Sequence, residues 1–255
     1  MIKDISSHTS SRGERRRTAL RQTMALLIAS ALLSAALQPT ASELTRAIYE
    51  LSHPPQVVAF VTGGGAQLFP LLLATPGASS SVLELASPYS RRSLVELIGY
   101  APWQYCGPEV ARDLADAAFS RACALCEAEV AEEGTERAEA TDACMGLGCT
   151  AALRSEPMKR GEHRCFVAVR TAAGVHELSL TLAKGMRSRE REDAVVGRVA
   201  LLALAHACGV ESASDVGGSD VWRLDPDCDT DATAGGGADA ETLLHSFVPY
   251  AATGP

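Results

Sequence analysis

Three consecutive glycines, Gly63-Gly64-Gly65, follow the apolar, β-branched run Val57–Val61 and lead into the helical pattern of Ala66-Gln67-Leu68-Phe69. A strand that ends in glycines and turns into a helix gathers unpaired backbone N–H groups and the positive end of a helix dipole at one point. That geometry favours an anion, a phosphate or a carboxylate, and glycine lets it approach the backbone. The other reading is a tight strand-to-helix turn with no ligand. The stretch is neither Gly-x-Gly-x-x-Gly nor a P-loop, because no Gly-Lys-Ser/Thr follows. Two later loops carry cations: Thr150 continues to Lys159, Arg160 and Arg164, and Lys184 and Arg187 precede Arg189 and Arg191. Ligands of open α/β sheets sit beyond the carboxyl ends of strands, where these loops belong. Cations there, in an otherwise acidic body, suit a phosphate, and Arg binds two oxygens at once. Ordinary surface charge is the alternative.

These loops need a sheet to hold them. Ser42 reads as the N-cap of a first helix bearing Leu44, Ala47, Ile48 and Leu51, which His53-Pro54-Pro55 ends. The glycine loop feeds a short helix to Ala74. Thr75–Ser79 is a turn, Ser81–Ala86 a second strand, and Pro88-Tyr89-Ser90 caps a helix over Arg91–Gly99. The longest helix runs from Pro108 to about Val130, with Val110, Leu114, Ala118, Ala122 and Leu125 at core spacing. Ala143–Thr150 reads as a buried strand, and Cys165–Thr171 with His176–Leu182 as a hairpin. A last helix begins at Ser188, with Glu190, Glu192 and Asp193 at its positive end, and stops at Gly209. The order α-β-α-β-α-α-β-ββ-α predicts an α/β domain over residues 42–210, a layered sheet flanked by helices.

The net charge of −8 implies no general affinity for nucleic acid. Residues 1–41 read as a targeting or disordered N-terminal segment: six Lys/Arg against Asp4 and Glu14 precede the apolar run Met24–Leu37, which is too short to span a bilayer comfortably. It indicates organellar or secretory targeting, or a cytoplasmic protein if the true start is Met24. Residues 211–255 read as a low-complexity acidic tail, with Asp225–Ala240 unable to build a core. Cys123, Cys126, Cys144 and Cys149 match a four-cysteine zinc spacing superficially, but buried cysteine acting as a small hydrophobe is the favoured reading. No metal or cofactor is expected.

Thr62-Gly63-Gly64, Pro76-Gly77-Ala78-Ser79, Tyr89-Ser90, the Thr150 loop, Gly161 and Gly185-x-Arg187 with Arg191 stand in the order seen in CinA C-terminal domains. The chain resembles that family over about residues 44–208. The family includes the nicotinamide-nucleotide amidohydrolases, which release ammonia from nicotinamide mononucleotide. Gly63-Gly64-Gly65, Pro88-Tyr89-Ser90 and Lys159–Arg164 look closer to a eukaryotic CinA-like branch, members of which can continue into a nucleotidyltransferase-like domain. The strand-end loops and the resemblance together make Thr62, Gly63, Gly64, Gly65, Tyr89, Ser90, Thr150, Lys159, Arg160, Arg164, Lys184 and Arg187 the candidate ligand-binding residues. The amidohydrolases place a nucleophilic Ser two residues before the glycine-loop Thr, where this chain has Phe60. They place a Lys five residues after the Tyr, where it has Leu94. In such a pair an amine of depressed pKa removes the hydroxyl proton, which Phe and Leu cannot do. No catalytic residue is therefore assigned, with Ser90, Ser93, Thr62 and Cys149 left as substitute nucleophiles.

The expected function is a binding or regulatory module with a pocket for a mononucleotide or other phosphate ligand and a degenerate amidohydrolase site. The alternatives are an active amidohydrolase or related C–N hydrolase using non-standard residues, and a structural domain whose basic loops contact an acidic protein. Homo-oligomerisation is compatible with each.

Overall fold

The structure is a computed structural model that describes residues 40–133, 142–210 and 242–249. The targeting segment ahead of Thr40 and the acidic run 225–240 lie outside the described residues. Among the described residues no helix is long and apolar enough to cross a membrane.

The architecture is α/β: a mixed six-stranded sheet flanked by helices. The strands are β1 (Gln56–Thr62), β2 (Val82–Ala86), β3 (Cys144–Ala152), β4 (His163–Arg170), β5 (Gly174–Leu182) and β6 (Thr242–Pro249), in the order β2-β1-β3-β4-β5-β6. β2, β1 and β3 are parallel, and β3 to β6 alternate antiparallel. Thr62 pairs with Thr150 in register, which brings the first two candidate loops to one end of the sheet.

The helices are α1 (Ala41–Tyr49), α2 (Leu68–Leu73), α3 (Arg91–Ile98), α4 (Pro108–Glu133) and α5 (Arg189–Ala207). Alternation along β1 splits the core in two. Val57, Ala59 and Val61 join α1, α2 and α5 on one face, and Val58 and Phe60 join α3 and α4 on the other. α5 is buried nearly all round from Val195 to Ala205, because α1 and α2 cover the side turned from the sheet.

α4 meets the sheet through small residues. Ala111, Leu114, Ala115, Ala118 and Ala122 recur at helical spacing and are buried. Ala111, Leu114, Ala115 and Phe119 lie against Gly146 and Gly148 of β3, where a Cβ would come within 2.1 Å of the Phe119 nitrogen and 2.2 Å of the Ala111 oxygen. Glycine is required here by close approach, since no side chain fits between strand and helix backbone.

Two expectations change. The first helix is capped by Thr40, not Ser42: Thr40 and Glu43 form a reciprocal capping box, with the Glu43 N–H donating to the Thr40 hydroxyl and the Glu43 carboxylate accepting from the Thr40 N–H. And Thr242–Pro249, read as part of the tail, is an edge strand on β5. Its pairing is backbone-driven, with Leu243 alone among the strand's side chains buried and Leu244 and Val248 exposed.

Candidate functional site

The glycine loop leaves β1 with Gly63 and Gly65 at positive φ (75° and 91°). At Gly63 a Cβ would lie 2.0 Å from the Ala151 carbonyl oxygen of β3, so this turn is pressed against its neighbour strand. An anion does sit at this turn, and it belongs to the chain. The Asp193 carboxylate, from the first turns of α5, accepts the Gly65 N–H at 2.7 Å and the Gln67 N–H at 3.2 Å. Two donors that sequence reasoning set aside for an anion are thus satisfied internally.

The twelve candidate residues divide between two faces. On the α3–α4 face, Thr62 is buried and its hydroxyl donates to the Pro88 carbonyl at 3.1 Å. The Thr150 hydroxyl, equally buried, donates to the Tyr105 carbonyl at 2.8 Å. Each threonine therefore anchors the loop beside it, and each keeps its oxygen lone pairs as acceptors. Ser90 is the N-cap of α3, its hydroxyl accepting the Ser93 N–H, which commits it to a structural bond.

Beside Thr150 lies Cys106, which sequence reasoning did not single out as a site residue. Its thiol points at the carbonyls of Thr150 (3.8 Å) and Arg164 (3.7 Å). Burial pushes its pKa up, while the charges of Arg164 and Lys159 pull the other way. Those two predicted cations thus share this corner. Arg91 stands over the Tyr105 ring (5.5 Å) and Arg164 over the Phe166 ring (5.6 Å). The Tyr105 hydroxyl is buried and has no hydrogen-bond partner among the described residues.

On the α5 side Lys184 and Arg189 are already engaged with backbone carbonyls. Lys184 donates to the carbonyls of Lys159 (3.2 Å) and Arg160 (2.9 Å), tying the two basic loops together. Arg187 is buried, and its carbonyl accepts from Arg154 at 3.1 Å. Arg189, outside the twelve, donates to the carbonyls of Arg154 (2.9 Å) and Gly63 (3.1 Å) and to the Tyr89 hydroxyl (3.3 Å). Beneath them Glu192 is fully buried, bonded to the His163 Nδ1 at 2.6 Å and accepting the Arg154 N–H at 2.7 Å. Glu192 was expected as an acid complementing the dipole of α5; its neighbours make it a buried partner of β4. No local pattern signals this, because His163 and Arg154 reach it only through the fold.

Phe60 on β1 and Leu94 on α3 belong to one apolar cluster with Val58, Val110 and Leu114, and both are buried. Of the other substitute nucleophiles, Cys149 is buried on the opposite face, its pKa raised chiefly by burial, a state that disfavours the reactive thiolate. Among the described residues no group of His, Cys, Asp or Glu could hold a metal ion. Three of the four cysteines considered for zinc do cluster, but Cys149 lies in the other core.

No protein-family model matches the chain, and no curated protein sequence does. Solved structures resemble it. The competence/damage inducible protein CihA from Agrobacterium tumefaciens is 17% identical, with a TM-score of 0.47 over 68% of this chain and 98% of that one. A competence or damage-inducible protein from Enterobacter asburiae is 10% identical, with a TM-score of 0.44 over 68% and 98%. A competence-damaged protein (CinA) superfamily protein from Escherichia coli is 12% identical, with a TM-score of 0.44 over 66% and 90%.

Proposed function

We propose that the chain is a CinA-like domain that binds a phosphate-bearing small molecule, a mononucleotide being the first choice, without amidohydrolase chemistry. The observation that carries the reading is the placement of Phe60 and Leu94. The positions that the resemblance assigns to nucleophile and base fall in one cluster, and both are filled by buried apolar side chains. Neither can move a proton or attack a carbon.

The ligand belongs at the Thr62–Thr150 end on the α3–α4 face. Two hydroxyl acceptors, the unpartnered Tyr105 hydroxyl and the cations Lys159 and Arg164 lie around this corner. The glycine loop contributes shape rather than charge complementarity, because Asp193 holds its Gly65 N–H.

Thermal shift of the full chain against a panel of mononucleotides and inorganic phosphate tests binding, and ammonia release from nicotinamide mononucleotide tests chemistry. Stabilisation by a nucleotide, lost in Lys159→Ala/Arg164→Ala, with no ammonia formed, is the expected pattern. Ammonia release that survives substitution of Thr62, Ser90 and Cys149 would place a working site elsewhere. Absence of any ligand-dependent shift would favour the structural-partner reading.

A further inference from the structure

At the end of the sheet remote from Thr62 and Thr150, the Cys126 and Cys144 sulfurs lie 3.5 Å apart, one near the end of α4 and the other at the first residue of β3. Both are buried in the α3–α4 core, and Cys123, one helical turn before Cys126, packs against the same cluster half-buried. The i, i+3 spacing puts Cys123 and Cys126 on one side of the helix, and both thiols act on Cys144. Three thiols on two elements thus converge, and the half-buried one is the point of entry for a small oxidant.

We propose that Cys123, Cys126 and Cys144 form an oxidant-responsive thiol relay that ends in a Cys126–Cys144 disulfide, a clip between α4 and β3. The oxidant is a peroxide, and the chemistry balances in three steps. The Cys123 sulfur attacks one peroxide oxygen and the O–O bond breaks, leaving a sulfenic acid and water. The Cys144 thiol attacks that sulfur, its proton leaves with the sulfenic hydroxyl as a second water, and a Cys123–Cys144 disulfide forms. Cys126 then attacks the Cys144 sulfur, its proton passing to the Cys123 thiolate that leaves. Overall, two thiols and one hydrogen peroxide give one disulfide and two waters.

The pair is suited to be the resting product. Its sulfurs are already in contact, and the bridge closes the loop of chain between α4 and β3, restricting the unfolded state. Burial holds both thiols above the ordinary cysteine pKa, so the bridge forms slowly without Cys123. The clip is independent of the ligand reading, because its sulfurs lie at the other end of β3 from Thr150.

The test treats the full chain with hydrogen peroxide and maps crosslinks by non-reducing peptide mass spectrometry, with thermal melting before and after dithiothreitol. Expected are a linked peptide pair joining Cys126 to Cys144, a melting rise of about 5 °C that dithiothreitol reverses, and loss of that rise in Cys144→Ala. Cys123→Ser should slow crosslinking at least tenfold without changing the final pair. Crosslinks confined to other cysteines, or Cys123 over-oxidised to sulfinic acid while Cys126 and Cys144 stay reduced, would overturn the proposal. Crosslinking of Cys123→Ser at the native rate would overturn the relay. Because Cys144→Ala keeps a small apolar side chain, its melting point under reducing conditions shows whether the variant folds.

Discussion

Replacing Gly148 by Ala tests the seam that holds the α3–α4 core together. The added Cβ would lie 2.2 Å from the Ala111 oxygen, 2.4 Å from the Ala115 nitrogen and 2.7 Å from the Leu114 Cβ. The first two are helix backbone, so no rotamer change relieves them. Side-chain carbons do not approach such atoms within 3.0 Å, and α4 must retreat by about 0.8 Å at this point. A gap of that size forfeits roughly a quarter to a half of each dispersion contact across the seam. Overpacking against a rigid element costs about 1–3 kcal/mol, and the upper end applies because backbone, not side chain, has to yield. For a domain of this size about 3 kcal/mol lowers the melting temperature by roughly 6–12 °C. The control is Gly161→Ala, where an added Cβ meets nothing within 4 Å and the expected change is within about 0.5 kcal/mol. Circular-dichroism melts of both variants decide the matter. A Gly148→Ala protein melting within 2 °C of the native chain would mean that α4 does not lie this close to β3.

Three further outcomes follow from the charged groups. Asp193→Ala leaves the buried Gly65 N–H without its acceptor and should cost about 1–3 kcal/mol; added phosphate should restore part of that loss in the variant and less in the native chain, as melting curves in phosphate and chloride will show. Glu192→Ala removes an acceptor from His163 and from the Arg154 N–H in a fully buried setting and should cost about 3–5 kcal/mol, with Glu192→Gln milder; equal losses in a urea titration would mean that the charge is irrelevant. The third concerns β6. His176 and His245 stack at 6.0 Å, with His206 of α5 4.7 Å from His245. Burial first, and then the neighbouring imidazoles, depress the pKa of His176 and of His245 below the ordinary 6.5. A histidine whose folded pKa is depressed stabilises the fold fully above its unfolded value, and that contribution is lost as pH falls through the folded one. The β6 seat should therefore hold above about pH 6.5 and weaken below it; amide protection of Leu243–Val248 that stays constant from pH 7.5 to 5 would contradict this.

The order of elements was legible because each strand is a short apolar run and each helix keeps its apolar spacing, whereas the strand order within the sheet depends on pairings between distant segments. The misread cap was also legible in principle. Thr40 has Glu43 three residues on, the spacing a capping box needs, whereas Ser42 has Thr45. β6 was hidden by its surroundings. Leu243, His245 and Phe247 do alternate, but the histidine and the acidic run before them blur the period, and the strand needs β5 to exist. Glu192 and Asp193 looked like acids placed for a helix dipole. Their partners lie 29 to 128 residues away, and nothing local distinguishes a solvated glutamate from a buried one.

The division of the candidate residues bears on where a ligand can sit. Side chains two apart on a strand share a face, so Phe60 and Thr62 look toward the same helices, and Thr150 joins them through its register with Thr62. The Gly63–Gly65 turn, by contrast, is clamped from the other side by Asp193 and Arg189, an anion and a cation from one helix N-terminus. A phosphate entering there would have to displace a carboxylate that already holds two N–H groups, and would meet that carboxylate's charge. At the Thr62–Thr150 corner it meets hydroxyls, a tyrosine hydroxyl lacking a partner, and Lys159 and Arg164. Charge therefore favours the α3–α4 face, beside Phe60, for the proposed ligand. The glycines form a rigid turn, clamped by Asp193 and Arg189, that sets the end of β1.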